Sequence, residues 1–169
     1  KLDFADFGNS PYYFMEPWLK DTTIAYSTTN GTNAIQMAAQ ANKVIIGSFL
    51  NLKATCNYLK EQNRKVIILC AGWKQRFSLE DAVHAGAVAE CLLQDQRFET
   101  NCDSAKAALD LWEKAKPDLY QYILKAAQKK RLAKLGLDDV IKYCHTTDKS
   151  NIIPLFYPQK NRIVDLNNL

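Results

Sequence analysis

Residues 43–71 read KVIIGSFLNLKATCNYLKEQNRKVIILCA, and this stretch decides the predicted fold. Two apolar runs, residues 43–48 and 65–71, stand on either side of a helical stretch, residues 50–62, with Leu52, Cys56 and Leu59 on one face. Both runs are continuously apolar rather than alternating, which is typical of strands covered on both faces. A strand, a helix and a second strand of these lengths predict a right-handed crossover between parallel strands.

The same alternation of predicted strands and helices extends in both directions along the chain. Residues 22–27 form a β-prone run before a helical stretch at 32–41, and residues 79–93 form the helix after the third strand. Further helices are predicted over residues 103–116, 119–135 and 137–143, and late, antiparallel edge strands over 152–157 and 162–164. The alternation predicts one α/β domain over residues 1–169, a three-layer α/β/α sandwich with a mostly parallel (mixed) sheet.

Composition excludes several classes of protein. Five cysteines, an odd number without a Cys-x-x-Cys pair, argue against a disulfide framework or a zinc site. No apolar run approaches the roughly 20 residues that span a bilayer, and no leader-like apolar segment opens the chain, so a cytoplasmic protein without membrane contact is expected. The net charge is only +4, and the basic run at 129–134 lacks stacking aromatics, so we expect a solvated helix face and no nucleic-acid partner.

The first candidate site is the loop Ser27-Thr28-Thr29-Asn30-Gly31-Thr32, between a predicted strand and a predicted helix. The free N–H groups and the positive end of the dipole make a helix N-terminus suitable for an anion, and Gly31 lets the backbone approach a ligand closely. Thr and Asn are also ordinary N-cap residues. The pattern leaves an anion site and a plain helix cap equally open.

The second candidate site joins the next strand to its helix, from Cys70 to Asp81. Gly72 lies in the loop, and Ser78 with Asp81 forms a capping box, which is a sufficient structural reason for both residues. Glu80 and Asp81 point in different directions on a helix, so one can cap while the other faces a cleft. Carboxylates beside a phosphate can hold Mg²⁺ directly or through water.

Other polar residues are weaker candidates. Asn9 and Ser10 occupy a turn before Pro11 and could line a substrate pocket. His84 lies one turn after Asp81, and Cys70 ends a core strand, where it is a minor candidate for a nucleophile. Ligands of parallel sheets bind outside the carboxyl ends of the strands, so the two polar loops are expected to converge on one cleft.

Several segments, in this order, resemble the 2-phosphosulfolactate phosphatase family over residues 3–155. The segments are FADFGNSP at 4–11, STTNGT at 27–32, GSFLN at 47–51, CAG at 70–72, SLED at 78–81, and Ala85-Gly86. Members of the family carry a strand-and-helix unit upstream of the Gly-Asn-Ser-Pro motif. Because that unit is not among these residues, the chain is expected to be the C-terminal part of a longer protein.

The resemblance implies a Mg²⁺-dependent phosphomonoesterase that converts 2-phosphosulfolactate into 3-sulfolactate and phosphate, a step of coenzyme M biosynthesis in methanogens. The residues Thr28, Thr29, Asn30, Gly31, Thr32 and Gly72 are expected to hold anionic oxygens, and Asn9 and Ser10 to line the pocket. Glu80 and Asp81 are expected to bind Mg²⁺ or orient the attacking water. The partner is then a small anionic substrate, and a homodimer is possible. The alternative is a non-catalytic binding domain for a phosphorylated or sulfonated metabolite.

Overall fold

The computed structural model describes residue 3, residues 5–127, residue 129 and residues 138–168. Its α-helices are α1 Gly31–Ala38, α2 Leu52–Gln62, α3 Leu79–Leu93, α4 Asp103–Ala115, α5 Leu119–Ile123 and α6 Asp138–Cys144. Short 3-10 helices cover Pro11–Met15, Pro17–Leu19, Phe49–Asn51, Lys116–Asp118, Pro158–Lys160 and Leu166–Asn168. The helices predicted from the sequence are confirmed except over residues 119–135, where α5 ends at Ile123 and part of the range lies outside the described residues.

Helix α3 is the centre of the molecule. Its buried face of small residues packs closely against α4, and a Cβ on Gly86 would lie 2.0 Å from the carbonyl oxygen of Ala108. The main core cluster joins α3 to α4, α5 and α6, and contains Phe49, Val83 and Ile123. A smaller cluster of Cys56, Val88 and Leu92 fixes α2 on the other side of α3. Side-chain size therefore sets the spacing of the two long helices.

The sheet is small and antiparallel. Its strands are β1 Val44–Ile45, β2 Pro154–Tyr157 and β3 Arg162–Asp165, in the order β1-β2-β3. Ile45 pairs with Leu155, and Leu155 pairs in turn with Val164. The prediction of two late, antiparallel strands is confirmed.

The predicted three-layer sandwich with a mostly parallel sheet is wrong. Within the described part of the chain, residues 65–71 form no ladder, residues 22–27 form no strand, and in the run at 43–48 only β1 and the Ile46 N–H pair with β2. Continuous apolar runs report which side chains suit a buried strand. They do not report whether neighbouring strands are available to accept their backbone hydrogen bonds, and this is why the expectation failed.

The molecule is open on the side where those runs lie. Its accessible surface is 11913 Å², against about 8,400 Å² expected for a folded monomer of this mass. Four of the exposed apolar side chains, Met37, Ile67, Ile68 and Leu69, line a cavity of about 920 Å³. No helix among the described residues has the length and apolar character needed to cross a membrane.

Candidate functional site

The large cavity is lined by some of the residues that the sequence singled out. Its walls include Gly31 at the start of α1, Glu80 and Asp81 in the first turn of α3, and His84 one turn later. A volume of about 920 Å³ lies within the range of small-molecule sites, about 300–1,000 Å³. Gly31 from the first predicted loop and the two acids that follow the second loop therefore line the same cavity, as expected.

The carboxylate of Asp81 is held from two sides. Its Oδ2 accepts a hydrogen bond from the Gly72 backbone N–H at 2.7 Å, and its Oδ1 accepts one from the Ser78 hydroxyl at 2.9 Å. The Ser78 Oγ accepts in turn from the Asp81 backbone N–H at 3.4 Å, which confirms Ser78 as the cap of α3. Asp81 therefore ties the loop that contains Gly72 to the start of the helix.

Glu80 shares the same hydroxyl but faces the cavity with fewer constraints. The Ser78 hydroxyl lies 3.2 Å from Glu80 Oε2. Both acids lie in the first turn of α3, where the helix dipole stabilises negative charge. The pair thus combines one fixed carboxylate, Asp81, with one carboxylate whose oxygens remain more available, Glu80.

A tight turn brings the two candidate loops into contact. Trp73 and Arg76 pair across residues Lys74 and Gln75, which both have positive φ values, 51° and 58°. This is the backbone of a type I′ turn. The Lys74 backbone N–H donates to Asn30 Oδ1 at 3.1 Å, so Asn30 uses its side chain to join the loops and not to cap α1.

Gly72 has a conformation that other residues rarely adopt. Its φ is +68°, and a Cβ there would lie 2.7 Å from the Arg76 carbonyl oxygen. Only glycine therefore fits this position without strain. The same geometry aims the Gly72 N–H at Asp81, so the predicted role of Gly72 as an anion donor competes with its hydrogen bond to that carboxylate.

The threonines of the first loop serve the helix itself. Thr28 Oγ1 accepts from the Thr32 backbone N–H at 3.2 Å, and the Thr32 hydroxyl donates to the Thr28 carbonyl. Thr29 is exposed. Of this loop, only Gly31 reaches the cavity wall, and it does so at the N-terminus of the eight-residue α1. The hydrogen bonds of Thr28 and Thr32 support the helix-cap interpretation, and the anion site at Gly31 stays a prediction.

Asn9 and Ser10 do not reach the cavity wall. Asn9 hydrogen-bonds the Tyr26 hydroxyl, a contact that opposes the increase in the Tyr26 pKa caused by burial. The Ser10 carbonyl accepts from the Tyr13 backbone N–H at 3.2 Å, at the start of a 3-10 helix. The structure therefore links Asn9 to the residue preceding the first loop and places Ser10 in a turn.

Two histidines flank Phe49 beside the acids. The His84 ring meets the Phe49 ring edge-on at 5.1 Å, and the His145 ring lies 5.7 Å from it. Burial lowers the pKa of both histidines, while the charge of Asp81 raises that of His84 and the charge of Glu80 raises that of His145. His84 Nε2 is buried without a hydrogen-bond partner among the described residues.

This pairing of histidines was not predicted from the sequence. The one available signal was the spacing of His84 from Asp81, a single helical turn. His145 comes from the end of α6, and its Nδ1 lies 2.7 Å from the Ile141 carbonyl oxygen. Nothing local in the sequence connects it to α3.

Cys70 is a poor nucleophile in this setting. The Cys70 side chain is partly accessible to solvent, but loss of solvation by the surrounding protein, reinforced by the nearby charge of Asp81, raises the pKa of its thiol. A thiol with a raised pKa is protonated at neutral pH, and the thiolate is the reactive form. Cys70 lines the cavity, but its electrostatic surroundings disfavour covalent chemistry.

The acids suit a magnesium site of a limited kind. Within residues 5–127, 129 and 138–168, no group of three or more His, Cys, Asp or Glu side chains is placed to hold a metal ion. Mg²⁺ commonly takes only one or two carboxylates and completes its octahedron with water and substrate phosphate oxygens. Glu80 and Asp81, which both line the cavity, match that donor set.

Comparison with known proteins decides the family. The family described as 2-phosphosulpholactate phosphatase matches residues 1–159. The chain belongs to this 2-phosphosulpholactate phosphatase family.

Individual relatives agree with this assignment to the 2-phosphosulpholactate phosphatase family. A probable 2-phosphosulfolactate phosphatase of Caldanaerobacter subterraneus subsp. tengcongensis is 37% identical over 97% of this chain and 66% of the relative. Relatives of the same name from Clostridium novyi and Gloeothece citriformis are each 34% identical, over 95% and 92% of this chain and 67% and 65% of their own lengths. The chain thus spans about two thirds of the length of the curated relatives it matches.

Proposed function

We propose that this chain carries the acid-bearing part of a Mg²⁺-dependent phosphatase that hydrolyses 2-phosphosulfolactate to 3-sulfolactate and inorganic phosphate. Membership of the family supports the reaction and the substrate. The observation that carries the assignment to this cavity is that Glu80, Asp81 and Gly31, the first residue of α1, all line it. Carboxylates and a helix N-terminus on one cleft supply what phosphate ester hydrolysis requires, namely positioning and charge compensation.

In this proposal Glu80 and Asp81 hold Mg²⁺, and the ion, when bound, compensates the negative charge of the phosphate oxygens. Asp81 contributes a fixed oxygen, because Gly72 and Ser78 hold its carboxylate. The α1 N-terminus at Gly31 binds an anionic group of the substrate. His84 and His145 close the wall with neutral rings at neutral pH.

The test is Mg²⁺-dependent release of phosphate from 2-phosphosulfolactate, measured beside an EDTA control. The Glu80→Gln variant keeps the shape and the Ser78 contact but removes the charge, so we expect at least about a 100-fold loss of kcat/KM. Glu61→Gln, at the exposed end of α2 and away from the cavity wall, is the matched control and should retain full activity.

The alternative, a non-catalytic binding domain, gives a different result in the same experiment. Titration calorimetry would then detect 2-phosphosulfolactate binding to the wild-type chain, with no phosphate released at any Mg²⁺ concentration. Equal activity of the Glu80→Gln and Glu61→Gln variants would instead remove Glu80 from the proposed metal site.

A further inference from the structure

His84 has one ring nitrogen that no other described residue satisfies. The residue lies on α3, one turn after Asp81, and lines the large cavity together with Glu80 and Asp81. Its Nε2 is buried and has no hydrogen-bond partner among the described residues. Buried polar atoms in folded proteins nearly always have a partner, either in the protein or in a bound molecule such as water. A molecule held at the cavity wall is therefore expected at His84 Nε2.

The other ring nitrogen decides which kind of partner Nε2 can take. The His84 ring hydrogen-bonds the backbone of Ser48, and this contact raises the His84 pKa. A contact that favours the protonated ring is one in which a ring N–H donates to a carbonyl oxygen. Because Nε2 has no partner, the donor is Nδ1. A neutral ring with its proton on Nδ1 has a lone pair on Nε2, so Nε2 accepts a hydrogen bond and does not donate one.

The surroundings of His84 keep the ring neutral and hold it in place. Loss of solvation lowers the His84 pKa, and this effect outweighs the Ser48 contact and the charge of Asp81, which both raise it. The Phe49 ring meets the His84 ring edge-on at 5.1 Å, and Gly47 leaves the space that the imidazole occupies. At neutral pH, His84 Nε2 is thus the acceptor of a fixed, unprotonated ring.

The other titratable groups of this wall leave that assignment unchanged. Glu80 acts on His145, which also packs against Phe49 and whose pKa is likewise lowered by loss of solvation. The thiols of Cys70 and Cys144 line the same cavity, and loss of solvation raises the pKa of both, so they are uncharged at neutral pH. Asp81 therefore supplies the charge that acts on His84 among the described residues.

The chemistry of the proposed reaction restricts the partner further. At neutral pH, 2-phosphosulfolactate offers a carboxylate, a sulfonate and a phosphate, whose second pKa is about 6. These anionic groups mainly accept hydrogen bonds, so they do not match an acceptor nitrogen. Among the described residues, no group of three His, Cys, Asp or Glu side chains is placed to hold one metal ion, so His84 does not join Glu80 and Asp81 as a third ligand. Water, which donates two hydrogens, is the reactant that fits Nε2.

We propose that His84 Nε2 accepts a hydrogen bond from the water that attacks the phosphorus atom and takes up a proton from that water during hydrolysis. This role rests on the proposed function, because it presupposes hydrolysis of a phosphate ester in this cavity. The water oxygen forms a bond to phosphorus, and the bond between phosphorus and the ester oxygen breaks, with its electron pair remaining on that oxygen. One water proton moves to Nε2, the ester oxygen takes a proton from solvent, and His84 then returns its proton to solvent.

The tautomer of His84 can be tested without substrate. Nitrogen-15 NMR of the chain labelled at its histidines distinguishes a protonated ring nitrogen from an unprotonated one. At neutral pH, we expect a proton on Nδ1 and none on Nε2. A proton on Nε2 would overturn the proposal, because no lone pair would remain to accept a proton from water.

The His84→Gln variant separates holding the water from taking its proton. The glutamine amide oxygen can accept a hydrogen bond from water but is not a base at neutral pH. We expect kcat for 2-phosphosulfolactate to fall at least about 100-fold, with KM changed by less than about threefold. The wild-type kcat should also fall as the pH drops through the His84 pKa, below the ordinary value of about 6.5, since only the unprotonated ring is a base. The variant should lack this decrease.

His145→Gln is the matched comparison in the same cavity wall. The Nδ1 of His145 lies 2.7 Å from the Ile141 carbonyl oxygen, so the two histidines have similar settings. Whatever its effect on rate, this variant should keep the decrease in kcat at acidic pH. Circular dichroism verifies that each variant is folded. His84→Asn, whose amide takes the place of Nδ1, carries the same expectation if His84→Gln does not fold.

The possible failures are distinguishable from one another. An active wild-type chain whose kcat and pH profile are unchanged by His84→Gln would remove His84 from the reaction and leave the proposed function in place. Loss of the decrease at acidic pH in His145→Gln, but not in His84→Gln, would assign the base to His145 instead. A wild-type chain that releases no phosphate at any Mg²⁺ concentration would overturn the proposed function, and the role of His84 with it.

Discussion

Gly47 and His84 interlock in the wall of the large cavity. A Cβ on Gly47 would lie 2.9 Å from His84 Cε1, closer than two carbon atoms can pack, and the His84 ring also packs edge-on against Phe49. The absence of a side chain at residue 47 thus fixes the position of a histidine one turn from Asp81. The close approach of His84 explains why residue 47 is a glycine although its φ is not positive.

The Gly47→Ala substitution should therefore lower the free energy of unfolding by about 1–3 kcal/mol, through overpacking against the His84 ring. Urea titration followed by circular dichroism measures this loss. Gly8→Ala is the control, because its Cβ would make only an ordinary 3.7 Å contact with Tyr13.

The double variant Gly47→Ala/His84→Ala identifies the cause. If the clash is with His84, the two losses will not add, and the double variant will be more stable than their sum predicts. Strict additivity would place the strain elsewhere.

At the scale of elements, Asn51 holds three segments together. This residue, 4% exposed, ends the 3-10 helix that leads into α2. Its Oδ1 accepts from the Ser48 N–H at 2.8 Å, and its Nδ2 donates to the carbonyls of Ile46 at 3.2 Å and Ile152 at 3.0 Å. One amide thus joins α2, the run that contains β1 and the segment before β2.

Asn51→Ala should cost about 2–3 kcal/mol of stability, because it leaves buried backbone groups without partners. The same loss should appear as faster amide exchange at Ser48. Asn57→Ala, at an exposed position within α2, is the matched control, and since alanine favours helix it should be neutral or slightly stabilising. Equal effects of the two substitutions would contradict the role given to Asn51.

The sequence predicted the helices far better than the strands, for a physical reason. The sequence predicted both ends of α3 and its cap, Ser78, correctly. Helical hydrogen bonds and caps join residues that are neighbours in the chain, so they can be predicted from local sequence. Residues 65–71 were assigned to a parallel sheet because their side chains suit one, but a strand exists only beside its partners. The acids at the cavity were predictable from the capping pattern, whereas the approach of His145 depends on how α6 packs.

At the scale of the whole molecule, the helices are well packed, whereas the sheet is small. The helices bury a shared core around α3, while the sheet has only three strands and the apolar run at 66–70 joins no ladder of the described residues. The site lies at the junction of these two parts, since Asp81 belongs to the packed helix and Gly72 to the loop that follows the unpaired run.

This openness has a measurable consequence in the unfolding of the isolated chain. With 11913 Å² exposed in the folded state, unfolding would expose about 16,000 Å², against about 19,000 Å² for a compact domain of this mass. Since the urea m-value follows the area exposed, it should be roughly a fifth below the value normal for the length of the chain. Coincident transitions by circular dichroism and tryptophan fluorescence are the necessary control, because a populated intermediate also lowers the m-value. A normal m-value with coincident transitions would mean that the chain closes the large cavity in solution.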